Sequence, residues 1–190
     1  MSIGKKIKTL MAIIGILSIC LLLKSISREY SSTDEEDYEA YVSEVNDAEL
    51  NMPKLEELGD YESILISRRR RNDDFFDTTE TVSLVVKYND KNFDLAINNI
   101  EKTYEFISYE LDNYKDFEAN VDGYYFRVDS NSLREVYSYP PGVYELSPVC
   151  SLFVGVNTSK NTIAYLFFWD IEIHKMDDLD NFIEEKFVLE

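Results

Sequence analysis

Residues 163–173 read Ile-Ala-Tyr-Leu-Phe-Phe-Trp-Asp-Ile-Glu-Ile, and this stretch decides the fold. Every odd-numbered residue in it is apolar, which is typical of a β-strand because its side chains alternate between two faces. The even-numbered residues 164, 166 and 168 are apolar as well. A strand that is apolar on both faces needs cover on both, so we predict that it lies in the centre of a sheet.

Further strands precede it along the chain. Residues 152–156 join it through the polar turn at 157–161, which indicates a hairpin. Asn157 also begins a glycosylation sequon, Asn-Thr-Ser, but the turn is our interpretation of these residues. Pro140-Pro-Gly142 predicts a second turn, because proline fixes φ and glycine accepts a positive φ. The other segments with strand patterns are 64–71, 82–88, 124–128, 136–139 and 143–146.

Helical spacing appears in three places. Residues 93–114 carry one continuous apolar stripe at intervals of three and four, which predicts a long amphipathic helix. Asp177 has the position of a cap for a short C-terminal helix, and Thr33 with Glu36 has capping-box spacing for a helix near 34–50. We therefore predict an α+β fold, with an antiparallel sheet of five or six strands packed by the long helix and the C-terminal helix.

The N-terminus has the pattern of a membrane segment. Residues 9–23 carry no charge and are flanked by lysines, and extending the segment to 7–26 gives about 20 residues, enough to span a bilayer. The lysines predict a cytoplasmic N-terminus and an exported C-terminal domain, in a single-pass protein of the cell membrane. Two alternatives stay open: cleavage near Ser25 and Ser27, which gives a secreted protein, and a lipid anchor at Cys20.

We divide the chain into a membrane anchor or signal segment (1–26), an acidic spacer with a helix (27–60) and an extracytoplasmic α+β domain (61–190). The strand patterns and the long apolar stripe all lie after residue 61. We therefore expect residues 61–190 to fold alone and the spacer helix to dock weakly if at all.

Charge and composition exclude several classes of function. Four of the 19 basic residues lie at or before residue 24, and all 37 acidic residues lie after it. The chain after residue 24 therefore has 15 basic residues and a net charge of −22. Such a domain repels phosphate backbones, which argues against nucleic-acid binding. One histidine and two cysteines exclude a multi-cysteine zinc site, and we expect Cys150 to be buried in the core.

One trio of residues has the chemistry of a metal site. Asp170, Glu172 and His174 alternate along the end of the last predicted strand and so share one face. The alternative interpretation is a polar strand end that meets water. Residues 89–94 and 177–181 carry oxygen ligands for calcium, but neither has the glycine of a calcium loop, and both fit helix starts.

Arginines and tyrosines are the candidates for partner binding. Four consecutive arginines end one predicted strand, where they could bind acidic groups of a partner or pair with the domain's own acids, such as Asp73 and Asp74. Tyrosines around the Pro-Pro turn offer rigid contact surface, although tyrosine is also common in strands. The candidates are Arg68, Arg69, Arg70, Arg71, Tyr124, Tyr137, Tyr139 and Tyr144.

These patterns favour a membrane-anchored, extracytoplasmic binding domain without catalytic activity, whose partner is a protein or envelope component. An acidic inhibitor or immunity-type protein that neutralises a basic partner is the alternative, since the charge would steer a cationic protein. A metal-dependent enzyme is a lesser alternative. No serine-nucleophile motif or glycine-rich phosphate loop occurs in the sequence, and we assign no cofactor.

Overall fold

A computed structural model describes residues 28–45, 47–72, 78–107, 117–137, 146–170 and 179–189. This part of the chain forms one antiparallel sheet of eight strands and four α-helices, which confirms the α+β prediction and corrects the expected five or six strands. The strands are β1 (Arg28–Ser32), β2 (Ser63–Asn72), β3 (Thr78–Lys87), β4 (Glu118–Val121), β5 (Tyr124–Val128), β6 (Arg134–Tyr137), β7 (Leu146–Asn157) and β8 (Thr162–Asp170). The helices are α1 (Glu35–Ser43), α2 (Ala48–Asn51), α3 (Asp90–Thr103) and α4 (Leu179–Lys186), with a 3-10 turn at Leu55–Glu57.

β8 is the central strand, as its sequence predicts. The sheet order is β1-β2-β3-β8-β7-β5-β4, and β6 pairs with the other end of β7. The residues of β8 from 163 to 168 are all buried. Ile163, Tyr165 and Phe167 join one hydrophobic cluster, and the alternate residues Ala164, Leu166 and Phe168 join a second cluster on the opposite face.

Helices cover both faces of this sheet. The first core lies on the face of Tyr165 and Phe167, under side chains of α1, α2 and α3. The second core lies on the face of Leu166 and Phe168, under α4 and residues 187–189. Burying large apolar side chains on both faces, each worth about 1.5–3 kcal/mol, accounts for the continuous apolar run in β8.

α3 is shorter than the apolar stripe predicts. The helix begins at Asp90 and ends at Thr103, and Tyr104 adopts an extended conformation with φ −106° and ψ 140°. Backbone N–H groups of the next residues form hydrogen bonds with residues 128 and 129 at the end of β5. The Glu105 N–H donates to Asp129 Oδ1 at 3.2 Å, and the Ile107 N–H donates to the Val128 carbonyl at 3.1 Å. Because residues 104–107 are β-branched or aromatic except Glu105, extended backbone suits them. Leu111 and Tyr114 lie outside the described residues.

Residues 28–60 belong to the fold and are not a loosely docked spacer. β1 pairs with β2 from Arg28↔Arg70 to Ser32↔Ile66. The expectation of weak docking is therefore wrong. The segment also carries apolar side chains that are spaced to lie on one face, and that face is buried. The buried residues of the segment that join the first core are Tyr38, Val42, Val45, Ala48, Met52 and Leu58.

The helix predicted near 34–50 is two helices. α1 and α2 are separated by residues 44–47, where Asp47 has a left-handed φ of 62°. Asp34, not Thr33, is the N-cap, since its side chain accepts from the Glu36 N–H at 3.1 Å. Met52 is extended (φ −74°, ψ 144°), as expected for the residue before a proline.

The predicted membrane span at 7–26 and Cys20 lie outside the described residues. In the part of the chain that the structure describes, no helix has the length and apolar character needed to cross a bilayer.

Candidate functional site

The arginine run occupies the second half of β2 and projects from both faces of the sheet. Arg68 and Arg70 continue the face of Ile64 and Ile66, so they leave the first core toward solvent. Arg69 lies on the opposite face, next to α4. Arg71 is in the strand, but its side chain lies outside the described part of the structure.

Arg68 and Arg70 are paired with acids of the domain itself. Arg68 forms an ion pair with Glu44, just after α1. The Nε of Arg70 lies 3.3 Å from Oε1 of Glu80, a buried residue of β3. Self-pairing is thus observed, but with these glutamates, whereas Asp73 and Asp74 lie outside the described residues.

Arg69 has a structural contact of its own. Its Nε and Nη2 lie 3.0 and 2.7 Å from Oε2 of Glu29 on β1, and its Nη1 donates to the Glu185 carbonyl at 2.6 Å. The guanidinium therefore links β1, β2 and the C-terminal end of α4. A positive charge at that end is favourable because the last helical carbonyls carry partial negative charge.

Arg68 and Arg70 form a cleft with two tyrosines, which we call the Arg–Tyr cleft. Its volume is about 330 Å³, and Tyr30, Tyr41, Glu44, Arg68 and Arg70 line it. The two tyrosine rings are 6.5 Å apart between centroids and inclined at 53°. The cleft therefore combines guanidinium donors with aromatic surface, a pairing that suits a ligand carrying an acidic group on an apolar body.

Two details of the Arg–Tyr cleft bear on binding. The Nε of Arg68 is buried and has no hydrogen-bond partner. Burial raises the pKa of Tyr41, Asp37 adds to the rise and Arg68 opposes it. A tyrosine hydroxyl is neutral at physiological pH even without such a shift, so Tyr41 can donate a hydrogen bond.

Of the predicted tyrosine candidates, Tyr124 has a described side chain, and it does not line this cleft. Tyr124 is buried in the second core, and its hydroxyl accepts from Thr162 Oγ1 at 2.9 Å, so it is not a surface contact. Its neighbour Tyr125 is 40% exposed on the opposite face of β5. Tyr137 is in β6 with its side chain outside the described part, where Tyr139 and Tyr144 also lie.

The side chains of the three metal candidates lie outside the described part of the structure. Asp170 ends β8, but its side chain lies outside the described part, together with Glu172 and His174. Within the described ranges, no three His, Cys, Asp or Glu side chains form a group able to hold a metal ion.

The two calcium candidates form helix ends or contacts between elements. Asn89 caps α3, with its Oδ1 accepting from the Asn92 N–H at 3.0 Å. Asp180, in the first turn of α4, accepts from the Asn120 N–H at 3.0 Å. The cap formed by Asn89 is the local role that the sequence offers as the alternative to calcium binding, whereas Asp180 links α4 to β4, and residues 177 and 178 lie outside the described residues.

Cys150 and the sequon asparagine have structural places. Cys150 is buried in the first core, as predicted, and its Sγ lies 3.6 Å from the Ser132 carbonyl. Asn157 is buried at the turn between β7 and β8, where its Oδ1 accepts from the Ser159 and Lys160 N–H groups, each at 3.1 Å. The turn interpretation of this segment is confirmed.

A second cleft, which we call the tyrosine cleft, is not indicated by any sequence motif. It has a volume of about 390 Å³ and lies between α3 and the segment at 53–58. Tyr88, Tyr104 and Tyr165 line it together with Glu57. These residues are far apart in sequence and come from different elements, so only the folded chain brings them together.

No protein-family model, curated protein or solved structure matches this chain.

Proposed function

We propose that the protein is a membrane-anchored, extracytoplasmic domain that binds another protein or an envelope component and catalyses no reaction. The Arg–Tyr cleft is the observation that carries this proposal. Arginine and tyrosine are the residue types that most often dominate the energy of protein interfaces, together with tryptophan. Here both types line one cleft at the edge of a domain that is otherwise strongly acidic.

The cleft retains binding capacity despite its internal ion pairs. The side chain of Arg70 is 52% exposed, and its contact with Glu80 is a single one at 3.3 Å. The side chain of Arg68 is 12% exposed, so it offers a ligand a smaller contact than Arg70 does. Tyr30 is 47% exposed and adds aromatic surface at the rim.

The position of the cleft supports a partner at the membrane surface. β1 begins at Arg28, two residues after the predicted span ends at residue 26. Tyr30 of that strand lines the cleft. If residues 7–26 span the bilayer, the cleft lies close to it, within reach of the membrane-proximal part of another protein.

Photo-crosslinking in intact cells tests the site. A photoreactive amino acid replaces Tyr30 in the full chain, and a matched variant carries it at Tyr125, which has similar exposure on another part of the surface. We expect a specific adduct from position 30 and none from position 125. Adducts from position 125 alone would contradict the assignment of the cleft.

Charge reversal supplies a second test. Arg70→Glu and Lys87→Glu change the net charge equally, and their side chains are 52% and 56% exposed. We expect Arg70→Glu to reduce the position-30 adduct at least tenfold, and Lys87→Glu to leave it unchanged. An equal reduction by both variants would show that only overall charge matters.

Protease treatment of intact cells tests the location. An exported domain is degraded from outside, whereas a cytoplasmic domain is protected until the cells are lysed. Protection in intact cells would reverse the topology and refute the extracytoplasmic part of the proposal.

The acidic inhibitor or immunity-type function is supported by a different surface. Three arginines of β2 are paired with glutamates, while α1 presents exposed acids that include Glu36 and Glu39. A basic partner would bind there with strong salt dependence. This function predicts that Glu36→Lys with Glu39→Lys abolishes partner capture at low salt and that Arg70→Glu does not, the reverse of the result expected above.

A further inference from the structure

The tyrosine cleft has a buried floor and a polar rim. Tyr88 and Tyr165 at the floor are buried, whereas Glu57, Asn99 and Thr103 at the rim are exposed. At about 390 Å³ it has the size of a small-molecule site. The cleft therefore opens to solvent between α3 and the 3-10 turn, and a small ligand can enter it.

Aromatic rings make up the floor and are held in place. The rings of Tyr104 and Tyr165 are 6.1 Å apart between centroids, inclined at 47°. The Tyr88 hydroxyl donates to the Leu58 carbonyl at 3.3 Å. Tyr38, which does not line the cleft, donates its hydroxyl hydrogen to the carbonyl of the lining residue Pro53 at 2.5 Å. Because the Tyr88 hydrogen is directed at a backbone carbonyl, the Tyr88 hydroxyl oxygen keeps a lone pair for a donor.

The lining is electronegative. Glu57 is a lining residue, and none of the described residues that line the cleft is basic. The Lys54 N–H donates to Glu57 Oε2 at 3.3 Å, which orients the carboxylate and leaves Oε1 for a ligand. The negative charge of the whole domain adds a field that concentrates cations near its surface.

Two carboxylates act on Tyr104. Burial is the largest cause of its raised pKa, and the charges of Asp129 and Glu57 raise it further. Burial opposes any charge, whereas the two carboxylates would attract a cation at this place.

We propose that the tyrosine cleft binds the ammonium group of a small organic cation, with the rings of Tyr88, Tyr104 and Tyr165 as the aromatic surface and Glu57 as the counter-charge. Aromatic faces attract ammonium groups through the ring quadrupole, most strongly where water is excluded. Tyrosine hydroxyl oxygens and the carboxylate accept hydrogen bonds from any N–H of the ligand. This site is separate from the Arg–Tyr cleft and does not depend on the function proposed for it.

Choline and its uncharged carbon analogue 3,3-dimethyl-1-butanol provide the direct test, because the two molecules share shape and differ in charge. The full chain in detergent is titrated with each by calorimetry, and tetramethylammonium and methylammonium are compared in parallel. We expect choline to bind at least about tenfold more tightly than the analogue, the effect of about 1.4 kcal/mol of cation–π and charge attraction. Equal affinities, or no heat with any of the cations, would overturn the proposal.

Variants separate the specific site from the general negative field. Glu57→Gln is compared with Glu56→Gln, because the two glutamates are adjacent in the same 3-10 turn and Glu56 does not line the cleft. We expect Glu57→Gln to weaken choline binding several-fold and Glu56→Gln to leave it unchanged. An equal effect of the two variants would mean that the field, not the site, attracts the cation.

Aromatic substitutions test the rings. Tyr104→Phe keeps an aromatic face and should retain most of the affinity, whereas Tyr104→Leu should lose at least about tenfold. Thermal melting of each variant shows that it is folded before titration. If a folded Tyr104→Leu variant binds choline as tightly as the parent does, the proposed role of the tyrosine rings is refuted.

Discussion

At Gly155 the sheet has no room for a side chain. It lies in β7 opposite Phe126 of β5, and the phenyl ring covers it on the second-core face. A Cβ at residue 155 would overlap ring atoms of Phe126, which is itself fully buried. We expect Gly155→Ala to lower the free energy of unfolding by about 1–3 kcal/mol, measured by urea denaturation, because the ring has to move.

A double-mutant cycle separates this overlap from other effects of the alanine. Phe126→Leu in the Gly155→Ala background should make the alanine less destabilising, since the smaller side chain leaves room. Additive effects of the two changes would show that the ring does not limit residue 155.

The buried tyrosines make the protein sensitive to alkaline pH. Burial, the largest cause in each case, raises the pKa of Tyr38, Tyr88, Tyr104 and Tyr165 above its value in the unfolded chain. Below pH about 10 these hydroxyls are protonated in both the folded and the unfolded chain, and their contribution to the free energy of unfolding is fully present. This contribution is lost as the pH rises further, because the unfolded chain ionises first. We expect the ultraviolet absorbance of these tyrosinates to appear together with the loss of circular dichroism. Their ionisation near pH 10 in a folded protein would contradict the burial.

Among the elements, α4 depends on side chains of the sheet at its C-terminal end. Arg69 Nη1 donates to the Glu185 carbonyl at 2.6 Å, Thr81 Oγ1 to Lys186 at 3.2 Å, and Ser83 Oγ to the Val188 carbonyl at 3.1 Å. The last carbonyls of an α-helix accept no hydrogen bond from the helix itself, so such contacts matter at this end. The cap is therefore supplied by β2 and β3, so the helix is stable only against the sheet.

Removing the arginine should loosen this helix. We expect Arg69→Ala to lower the free energy of unfolding by about 1–3 kcal/mol, because two charge-assisted contacts are lost, and to speed amide exchange in α4. Arg70→Ala, the next residue of β2, faces away from α4 and serves as the control. Equal exchange rates in α4 for the two variants would contradict the capping role.

The strands and α3 show which elements the sequence predicts. β2, β3, β5 and β8 are predicted because their alternation arises directly from packing. The end of α3 is not, since residues 104 and 107 keep helical spacing, while the Glu105 N–H donates to the Asp129 side chain and the Ile107 N–H to the Val128 carbonyl. β1 is missed because a five-residue edge strand of mostly polar side chains has no apolar alternation.

At the scale of the whole molecule, the N-terminal segment contributes to the first core. Tyr38, Val42, Val45 and Met52 are buried there, and β1 pairs along β2. We now expect a fragment that begins at Leu58 to lose its cooperative thermal transition, and one that begins at Ser27 to keep it. Similar melting of the two fragments would restore the domain boundary at residue 61 and show that the burial adds little stability.

The candidate sites are less predictable than the fold for a physical reason. The arginine run is visible as four consecutive letters, but Glu29, Glu44 and Glu80, its partners, are 10 to 40 positions away from the arginines they contact. The tyrosine cleft joins residues 57, 88, 104 and 165, and no local pattern connects them. Both sites depend on the order of the strands, which hydropathy alone does not determine.

The central place of β8 has a consequence for biosynthesis. β3 ends at Lys87, but β8, the strand that pairs with its inner edge, begins only at Thr162. That edge of β3 therefore stays unpaired while residues 88–161 are synthesised. At a synthesis rate of 5–20 residues per second this delay lasts about 4–15 s. During this time the nascent chain exposes an unpaired strand edge that carries Val82, Leu84 and Val86. Such an edge can form hydrogen bonds with the wrong strand. A factor that shields this edge during translation would raise the yield of folded protein more than one acting after release.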